Sequence, residues 1–287
     1  MAPACYNGGM ALTVDTGDEA ARRFEQIRFV LCDLDGVVWL RHTAIPGAPQ
    51  AIERLREAGR RVLFVTNNSM STIEQQERAL AAIGVPAIGD VVTSAQAAAA
   101  MVTPGDRVVV CGGEGVVEAV EARRAVALRE GEADAVIVGL HHDFDYWRMQ
   151  AANAAIRAGA RFIATNDDAT FPTPDGPIPG AGSLVAAVAT ASGTLPVVAG
   201  KPYEPIAELV RQRCGEAFSE RSAVMVGDRW STDGLFAETI GCQFAMVRSG
   251  VTEPGQAITD DAGVVARSRV AIDVADLDAV ANLLLGR

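Results

Sequence analysis

The sequence predicts an α/β protein: a three-layer, Rossmann-like core around a buried parallel sheet, interrupted by a second, inserted α/β unit. Three observations predict it. From Phe24 onward, short apolar runs alternate with amphipathic stretches of helix length. That alternation marks βαβ units, whose strands are covered on both faces. The pattern is broken at Thr103-Pro104-Gly105-Asp106 and then restarts. Finally, carboxylates, amides and hydroxyls follow directly on several apolar runs, where open parallel sheets bind their ligands.

The elements follow in order. Residues 1–23 are rich in Gly and polar groups and read as a loose tail. They have neither the basic nor the apolar stretch of a secretory signal. Residues 27–32 (IRFVLC) form a strand, and 48–58 an amphipathic helix stopped by Gly59. A second strand covers 61–65, a second helix 71–83 ends at Gly84, and a strand at 89–93 runs into an Ala-rich helix at 94–102. After the break come strand 107–111, a glycine turn, helix 115–122, strand 134–139, helix 145–158 and strand 161–164. The stretch 171–182 (FPTPDGPIPGAG) is a Pro- and Gly-rich loop before helix 183–191. Then follow Val197-Val198, helix 204–214, strand 222–226, helix 233–239, strand 243–247 and a last helix at 275–285. Residues 24–102 and 195–287 are thus expected to form one discontinuous core, with 103–194 inserted as a separate unit. Residues 58–68 echo 158–167, each a helix end, a Gly turn, a strand and Thr-Asn. Convergent turn chemistry explains the echo more simply than a second phosphate site.

The totals exclude several classes. The 287 residues are 49% hydrophobic and 21% charged, an ordinary globular composition. A net charge of −11 argues against a nucleic-acid polymer or an anionic membrane as partner. No apolar run reaches the ~20 residues of a bilayer span. The five cysteines (Cys5, Cys32, Cys111, Cys214, Cys242) are widely spaced and form no Cys-x-x-Cys. Free thiols in a reducing cytoplasm are the expectation.

The stretch Phe29-Val30-Leu31-Cys32-Asp33-Leu34-Asp35-Gly36 drives an apolar strand into two aspartates. Their period-two spacing sends both side chains off one face, roughly 6–7 Å apart. That is too wide for both to grip one metal ion, and it suits a division of labour. A cation can take one side chain, a backbone carbonyl and a third carboxylate, as Mg²⁺ prefers. Other strand ends supply Thr66-Asn67-Asn68 and Gly227-Asp228-Arg229, with Asp233 five residues beyond Asp228 and Lys201 after Val-Val-Ala-Gly. A divalent cation and Lys201 would neutralise Asp33, Asp228 and Asp233, and the remaining carboxylate could handle a proton. The ensemble suits phosphoryl transfer, which needs an in-line nucleophile and charge neutralisation. Singly, each piece is as well explained by a turn or a helix cap.

Together, Asp33-Leu34-Asp35-Gly36-Val37, Thr66-Asn67-Asn68-Ser69, Gly200-Lys201-Pro202 and Gly227-Asp228-Arg229 with Asp233 resemble the haloacid dehalogenase-like (HAD) phosphatases. The inserted segment resembles the class IIA (C2) cap of the nitrophenylphosphatase and NagD-type branch. Its marks are Val138-Gly139-Leu140, Ala164-Thr165-Asn166-Asp167-Asp168, Phe171-Pro172 and Pro179-Gly180-Ala181-Gly182. The resemblance implies a Mg²⁺-dependent phosphatase acting on a small phosphorylated metabolite through an aspartyl-phosphate. Candidates in this branch are glycerol phosphate, phosphoglycolate, pyridoxal phosphate, sugar phosphates and nucleoside monophosphates. It implies Asp33 as nucleophile, Asp35 as acid and then base, Lys201 as charge stabiliser, and Thr66, Asn67 and Asn68 as phosphate-binding residues. It places Mg²⁺ on Asp33, the Asp35 backbone carbonyl and Asp228, with Asp233 in support. A homodimer through the cap belongs to the same expectation.

One departure is His141-His142, where the branch leads us to expect an acidic–basic pair. A half-exposed cap loop is the expected place for them, with loops 139–145 and 166–182 meeting the leaving group. Two other classes compete. Gly112-Gly113-Glu114-Gly115 after strand 107–111 resembles part of a dinucleotide-binding turn but lacks the full glycine spacing. A non-catalytic phosphometabolite-binding module would gain nothing from a nucleophile beside a proton donor. Within the superfamily, a phosphotransferase also remains open.

Overall fold

The structure is a computed structural model and describes residues 24–40, 42–171, 176–252, 254–260, 263–264 and 269–287. The expected tail and Pro172–Asp175 of the Pro/Gly-rich loop lie outside the described residues. In chain order the strands are β1 (Phe29–Cys32), β2 (Trp39–Leu40), β3 (Thr43–Ala44), β4 (Arg61–Thr66), β5 (Val91–Thr93), β6 (Arg107–Cys111), β7 (Val126–Leu128), β8 (Ala135–Val138) and β9 (Arg161–Ala164). They continue with β10 (Thr170–Phe171), β11 (Ile178–Pro179), β12 (Val197–Val198), β13 (Ala223–Gly227), β14 (Gln243–Val247), β15 (Thr259–Asp260), β16 (Gly263–Val264) and β17 (Ile272–Val274). The helices are α1 (Ala48–Glu57), α2 (Ile73–Ala82), α3 (Ser94–Ala99), α4 (Glu114–Ala122), α5 (Tyr146–Arg157), α6 (Ala181–Ser192), α7 (Glu204–Cys214), α8 (Leu235–Ile240) and α9 (Leu277–Leu284).

Two parallel sheets result. The larger has the order β17-β14-β13-β1-β4-β5 and the smaller β12-β9-β8-β6-β7. In the larger sheet, β1 lies between β13 and β4 in register Phe29↔Ala223 and Phe29↔Arg61. Its side chains alternate between two apolar layers: Phe29 and Leu31 face one, Val30 and Cys32 the other. Burial on both faces is why the run is apolar without alternation. Transfer of each large side chain from water stabilises the fold by roughly 1.5–3 kcal/mol. The layer holding Leu31 continues through α3 into Val108, Val110 and Val116 of the inserted segment, so one apolar cluster joins both sheets.

Local chemistry sets the ends of the elements. Thr72 caps α2 by accepting from the Gln75 amide, and the Gln75 side chain returns a bond to the Thr72 amide. Thr93 and Gln96 form the same reciprocal cap on α3. These caps start each helix just beyond a strand and so fix the strand ends. Among the described residues, eight strands are additional to the expected set: β7 and β17 in the two parallel sheets, and the short pairs β2–β3, β10–β11 and β15–β16, of which β11 falls inside the stretch 171–182 expected to be a loop. The smaller sheet also takes up β12, whose Val197 and Val198 pair with Ile163 and Ala164. It therefore extends four residues past the expected boundary at 194.

Candidate active site

Asp33 continues the β1 ladder, its amide donating to the Val226 carbonyl at 2.9 Å. This register holds its side chain at the carboxyl edge of the sheet, beside the end of β13. Lys201 reaches the same point from the segment after β12. Its Nζ lies 2.7 Å from Oδ1 of Asp33 and 2.7 Å from Oδ1 of Asp233. Lys201 is only 2% exposed and Asp233 wholly buried. Asp233 stands in one π-helical turn, Trp230–Gly234, between β13 and α8. That turn faces it inward, where its other oxygen accepts from the Arg229 amide at 3.2 Å.

Asp228 completes the group. Gly36 and Gly250 press on its carboxylate so closely that a Cβ at either would fall 2.3 or 2.0 Å from its Oδ2. Gly36 also has φ +84°, a left-handed conformation that glycine adopts without strain. The Val251 amide donates to the same oxygen at 2.6 Å. Asp35 accepts from the Trp39 indole N–H at 3.1 Å, which anchors it beside the cavity.

The charges explain one another. Burial pushes the Asp33 carboxyl up; Lys201 opposes this, and Asp233 and Asp228 add to it. Burial and then Asp233 raise Asp228 to about 6. Burial raises Asp35 against the Trp39 hydrogen bond. Burial would strip the proton from Lys201, but Asp233 and Asp33 outweigh it and hold the ammonium charged. Oxygens of Asp33, Asp228 and Asp233 lie within 4.8 Å of one another. Three acids against one lysine leave an excess of negative charge, set in hard oxygen donors. That donor set fits Mg²⁺, and no sulfur or imidazole group enters it.

Asp33, Asp35, Asp228 and Lys201 floor a cavity of about 90 Å³. Thr66, Asn67, Asn68 and Ser69 line one wall, and Leu140, Asn166, Asp168, Thr170, Phe171 and Gly180 close it from the inserted segment. Loops 139–145 and 166–182 therefore reach the site through these six residues. The expected phosphate-binding trio is present, but much of it is already engaged. The Thr66 hydroxyl accepts from the Asn68 amide at 3.1 Å. The Asn68 side-chain oxygen accepts from the Met70 amide at 3.0 Å. Asn67 is fully used. Its Oδ1 accepts from the Lys201 amide at 2.8 Å, and its Nδ2 donates to the Lys201 carbonyl and to Asp168 Oδ2, both at 3.0 Å. Its own carbonyl accepts from Ser94 and Asn166 at 2.7 and 2.9 Å.

Two expectations change. His141 does not lie in a half-exposed loop: it is 4% exposed, and its Nδ1 donates to the Gly139 carbonyl at 2.9 Å. The imidazole edge packs on Phe144, and burial lowers its pKa. His142 is exposed. At the turn Gly112–Gly115, two glycines are pressed by core backbone: a Cβ at Gly113 would meet the Met70 carbonyl oxygen at 2.7 Å, and one at Gly115 the Ser71 carbonyl oxygen at 2.2 Å. The Gly115 amide donates to Met70 at 3.0 Å. Gly113 and Gly115 serve close docking of the inserted segment, which accounts for them without a dinucleotide. Sequence reasoning assigned no role to Asp168 or Arg229, although both line the cavity. Each follows a strand end, β9 or β13, and that placement was the available signal.

Comparison with known proteins agrees with this geometry. The family model described as haloacid dehalogenase-like hydrolase matches residues 30–124, and a second, HAD-hydrolase-like model matches 198–277. A D-glycerol 3-phosphate phosphatase of Mycobacterium tuberculosis is 39% identical over 236 residues, 80% of this chain and 65% of that protein. Phosphoglycolate phosphatase 2 of Arabidopsis thaliana is 35% identical over 258 residues, 80% of this chain and 85% of that protein. A crystal structure of a glycerol phosphate phosphatase from Mycobacterium tuberculosis in complex with magnesium superposes with a TM-score of 0.73 at 37% identity, covering 79% of this chain and 70% of that one. A 4-nitrophenylphosphatase from Thermotoga maritima superposes with a TM-score of 0.81 at 28% identity, covering 91% and 98%. The chain belongs to the haloacid dehalogenase-like hydrolases, in their nitrophenylphosphatase and NagD-type branch, and is a phosphoric monoester hydrolase of that family.

Proposed function

We propose that the chain hydrolyses small phosphate monoesters by passing the phosphoryl group first to Asp33 and then to water, with Mg²⁺ as cofactor. The observation that carries this reading is the floor of the cavity, where Lys201 bridges Asp33 and Asp233 beside Asp228. Asp33, Asp228 and the Asp35 backbone carbonyl would hold Mg²⁺, with Asp233 fixing Lys201 behind them. When bound, the ion supplies positive charge to the phosphoryl oxygens.

The chain's own groups do the rest. A carboxylate oxygen of Asp33 attacks phosphorus as the bond to the ester oxygen breaks. Asp35, whose carboxyl burial pushes above the usual carboxylate range, gives its proton to the departing oxygen. It then takes a proton from the water that attacks the aspartyl-phosphate, which frees inorganic phosphate and restores Asp33. Lys201 and the loop Thr66–Ser69 offer cation, hydroxyl and amide groups to the phosphoryl oxygens. Domain roles follow: the larger sheet and the segments flanking it carry the chemistry, and the inserted unit, extended through Val198, covers the site.

The relatives named above act on glycerol phosphate and phosphoglycolate, and a cavity of about 90 Å³ favours leaving groups of that size. Cys32, Cys111, Cys214 and Cys242 are free thiols, which supports a cytoplasmic setting. No helix among the described residues is long and apolar enough to cross a membrane. A homodimer through the inserted unit is supported by its exposed, edge-to-face Tyr146 and Trp147.

The test is Asp33→Asn. An amide is no nucleophile toward phosphorus, so Mg²⁺-dependent hydrolysis of p-nitrophenyl phosphate should fall to background while the circular dichroism spectrum is kept. Near-normal turnover by the folded variant removes Asp33 from the mechanism.

A further inference from the structure

Asp35 has to deliver a proton in one half of the proposed reaction and collect one in the other. Its carboxyl has two oxygens, and an Asp side chain turns about its last bond with little intrinsic preference between them. The fold has to decide which oxygen works. The Trp39 indole N–H donates to Oδ1 of Asp35 at 3.1 Å, and no other hydrogen bond reaches that carboxyl among the described residues.

Trp39 is firmly placed for this contact. After Asp35 the chain turns back on itself: the Gly36 amide donates to the Trp39 carbonyl at 2.8 Å, and the Val38 and Trp39 amides donate to the Leu34 carbonyl at 2.9 and 3.1 Å. Asp35 and Trp39 are thereby bridged side by side. The indole is 1% exposed and belongs to the apolar layer that holds Val30 and Cys32. His42, in the turn between β2 and β3, packs edge-on against it at 4.8 Å. The body of the ring is core, and its polar edge is spent on Asp35. A phenyl ring could fill most of that space and would lack the N–H. Trp39 does not line the cavity, so it can reach the reaction only through Asp35.

An indole nitrogen donates and cannot accept. Oδ1 is therefore kept as an acceptor whether Asp35 is neutral or ionised, and Oδ2 is left free to carry the proton. We propose that Trp39 is a positioning residue for the hydrolysis, assigning Oδ2 of Asp35 to both proton transfers. This rests on the phosphatase reading and adds to it a residue outside the site's own lining. In the first half, the Oδ2–H bond breaks and the proton goes to the ester oxygen as that oxygen leaves phosphorus for Asp33. In the second, a water oxygen bonds to phosphorus, the bond from phosphorus to Asp33 breaks, and the proton lost by the water returns to Oδ2. Asp35 ends as it began, and Trp39 is unchanged throughout.

The experiment follows kcat and KM for glycerol 3-phosphate and p-nitrophenyl phosphate, with Mg²⁺, on wild type, Trp39→Phe, Asp35→Asn and the double variant. The ratio kcat/KM reports transfer to Asp33, and there only the alkoxide leaving group needs a proton. Trp39→Phe should lower kcat/KM about 10–100-fold for glycerol 3-phosphate and less than about threefold for p-nitrophenyl phosphate. Hydrolysis of the aspartyl-phosphate is common to both esters, so kcat and KM for p-nitrophenyl phosphate should fall together, about tenfold. In the Asp35→Asn background, Trp39→Phe should cost less than about twofold more, because the group it orients no longer carries a proton. Replacing Trp39 by its benzothienyl isostere, with sulfur in place of N–H, keeps the ring's shape and repeats the test should Trp39→Phe fold poorly. Equal losses of kcat/KM on the two esters, a Trp39→Phe penalty that multiplies with that of Asp35→Asn, or wild-type kinetics in the isostere overturns this inference alone. No hydrolysis of either ester by wild type overturns the phosphatase reading and this inference with it.

Discussion

Replacing Lys201 by Met keeps the length of the side chain and removes its charge. At 2.7 Å, each of its two ion contacts is worth about 6 kcal/mol of gross attraction at an effective dielectric near 20. Desolvation of three buried groups offsets most of that, so the net worth of the intact trio is small. The variant differs because Asp33 and Asp233 are left facing each other without a cation. The folded chain limits the damage by taking up one proton. Protonating a carboxylate of ordinary pKa costs about 4 kcal/mol at pH 7 and about 1.5 kcal/mol at pH 5. Lys201→Met should therefore be destabilised by about 4 kcal/mol at pH 7, within the range for breaking a buried pair. The deficit should shrink toward acid. In wild type, Lys201 has a raised folded pKa, so its contribution is complete below the unfolded value near 10.5 and is lost only as pH rises through the folded one. Its own titration therefore adds nothing between pH 5 and 7, and the pH dependence of the difference belongs to the carboxylates that Lys201 faces. The assay is urea unfolding of both proteins in EDTA at pH 5, 6 and 7. A deficit under 1 kcal/mol at pH 7, or one that grows on acidification, refutes the reasoning.

Gly250→Ala should drive a methyl group into Asp228, because the Cβ position lies 2.0 Å from Oδ2. We expect the Mg²⁺ concentration for half-activation to rise at least tenfold, and an unchanged Mg²⁺ titration would contradict this. Asp35→Asn should lower kcat/KM for alkyl phosphates by about 10²–10⁴, and much less for p-nitrophenyl phosphate, whose leaving group needs no proton. Equal losses on both would assign Asp35 another task. Buried His141 has a lowered pKa, so its contribution to stability is full above the unfolded value near 6.5 and is lost as pH falls through the folded one. Between pH 7 and 5, wild type should lose more stability than His141→Gln; parallel urea midpoints would show that His141 accepts a proton freely.

The parts legible in sequence are those fixed by local order. Asp33 and Asp35 end an apolar run, and Asp228 ends another, so their place at the sheet edge needed only the βαβ pattern. Lys201 was legible only through its company, since Gly-Lys-Pro alone says nothing. Strand β7 escaped because Val126-Ala127-Leu128 is too short to show a period. Strand β17 escaped because Asp273 interrupts it; the structure accounts for that residue by its paired bonds to Arg248 at 2.7 and 2.8 Å. Val197-Val198 looked like a core strand, but its partner is Ile163-Ala164 of the other sheet. Pairing over such a separation leaves no trace in a two-residue run. His141 was misplaced for a related reason, since the Gly139 carbonyl and Phe144 that bury it are positioned by the fold of the loop. Asp168 and Arg229 meet only when the inserted segment is docked, and no spacing rule joins them.

Asn67 binds the backbone of Lys201 on one side and Asp168 on the other through one primary amide. Registration of the lysine and seating of the roof are therefore a single event. Lifting the roof withdraws an acceptor from the amide that aligns the lysine's main chain, so a half-open molecule loses order at both places. The arrangement works as an interlock. In the proposed reaction, any opening that admits bulk solvent would therefore also loosen the backbone of the lysine that faces Asp33.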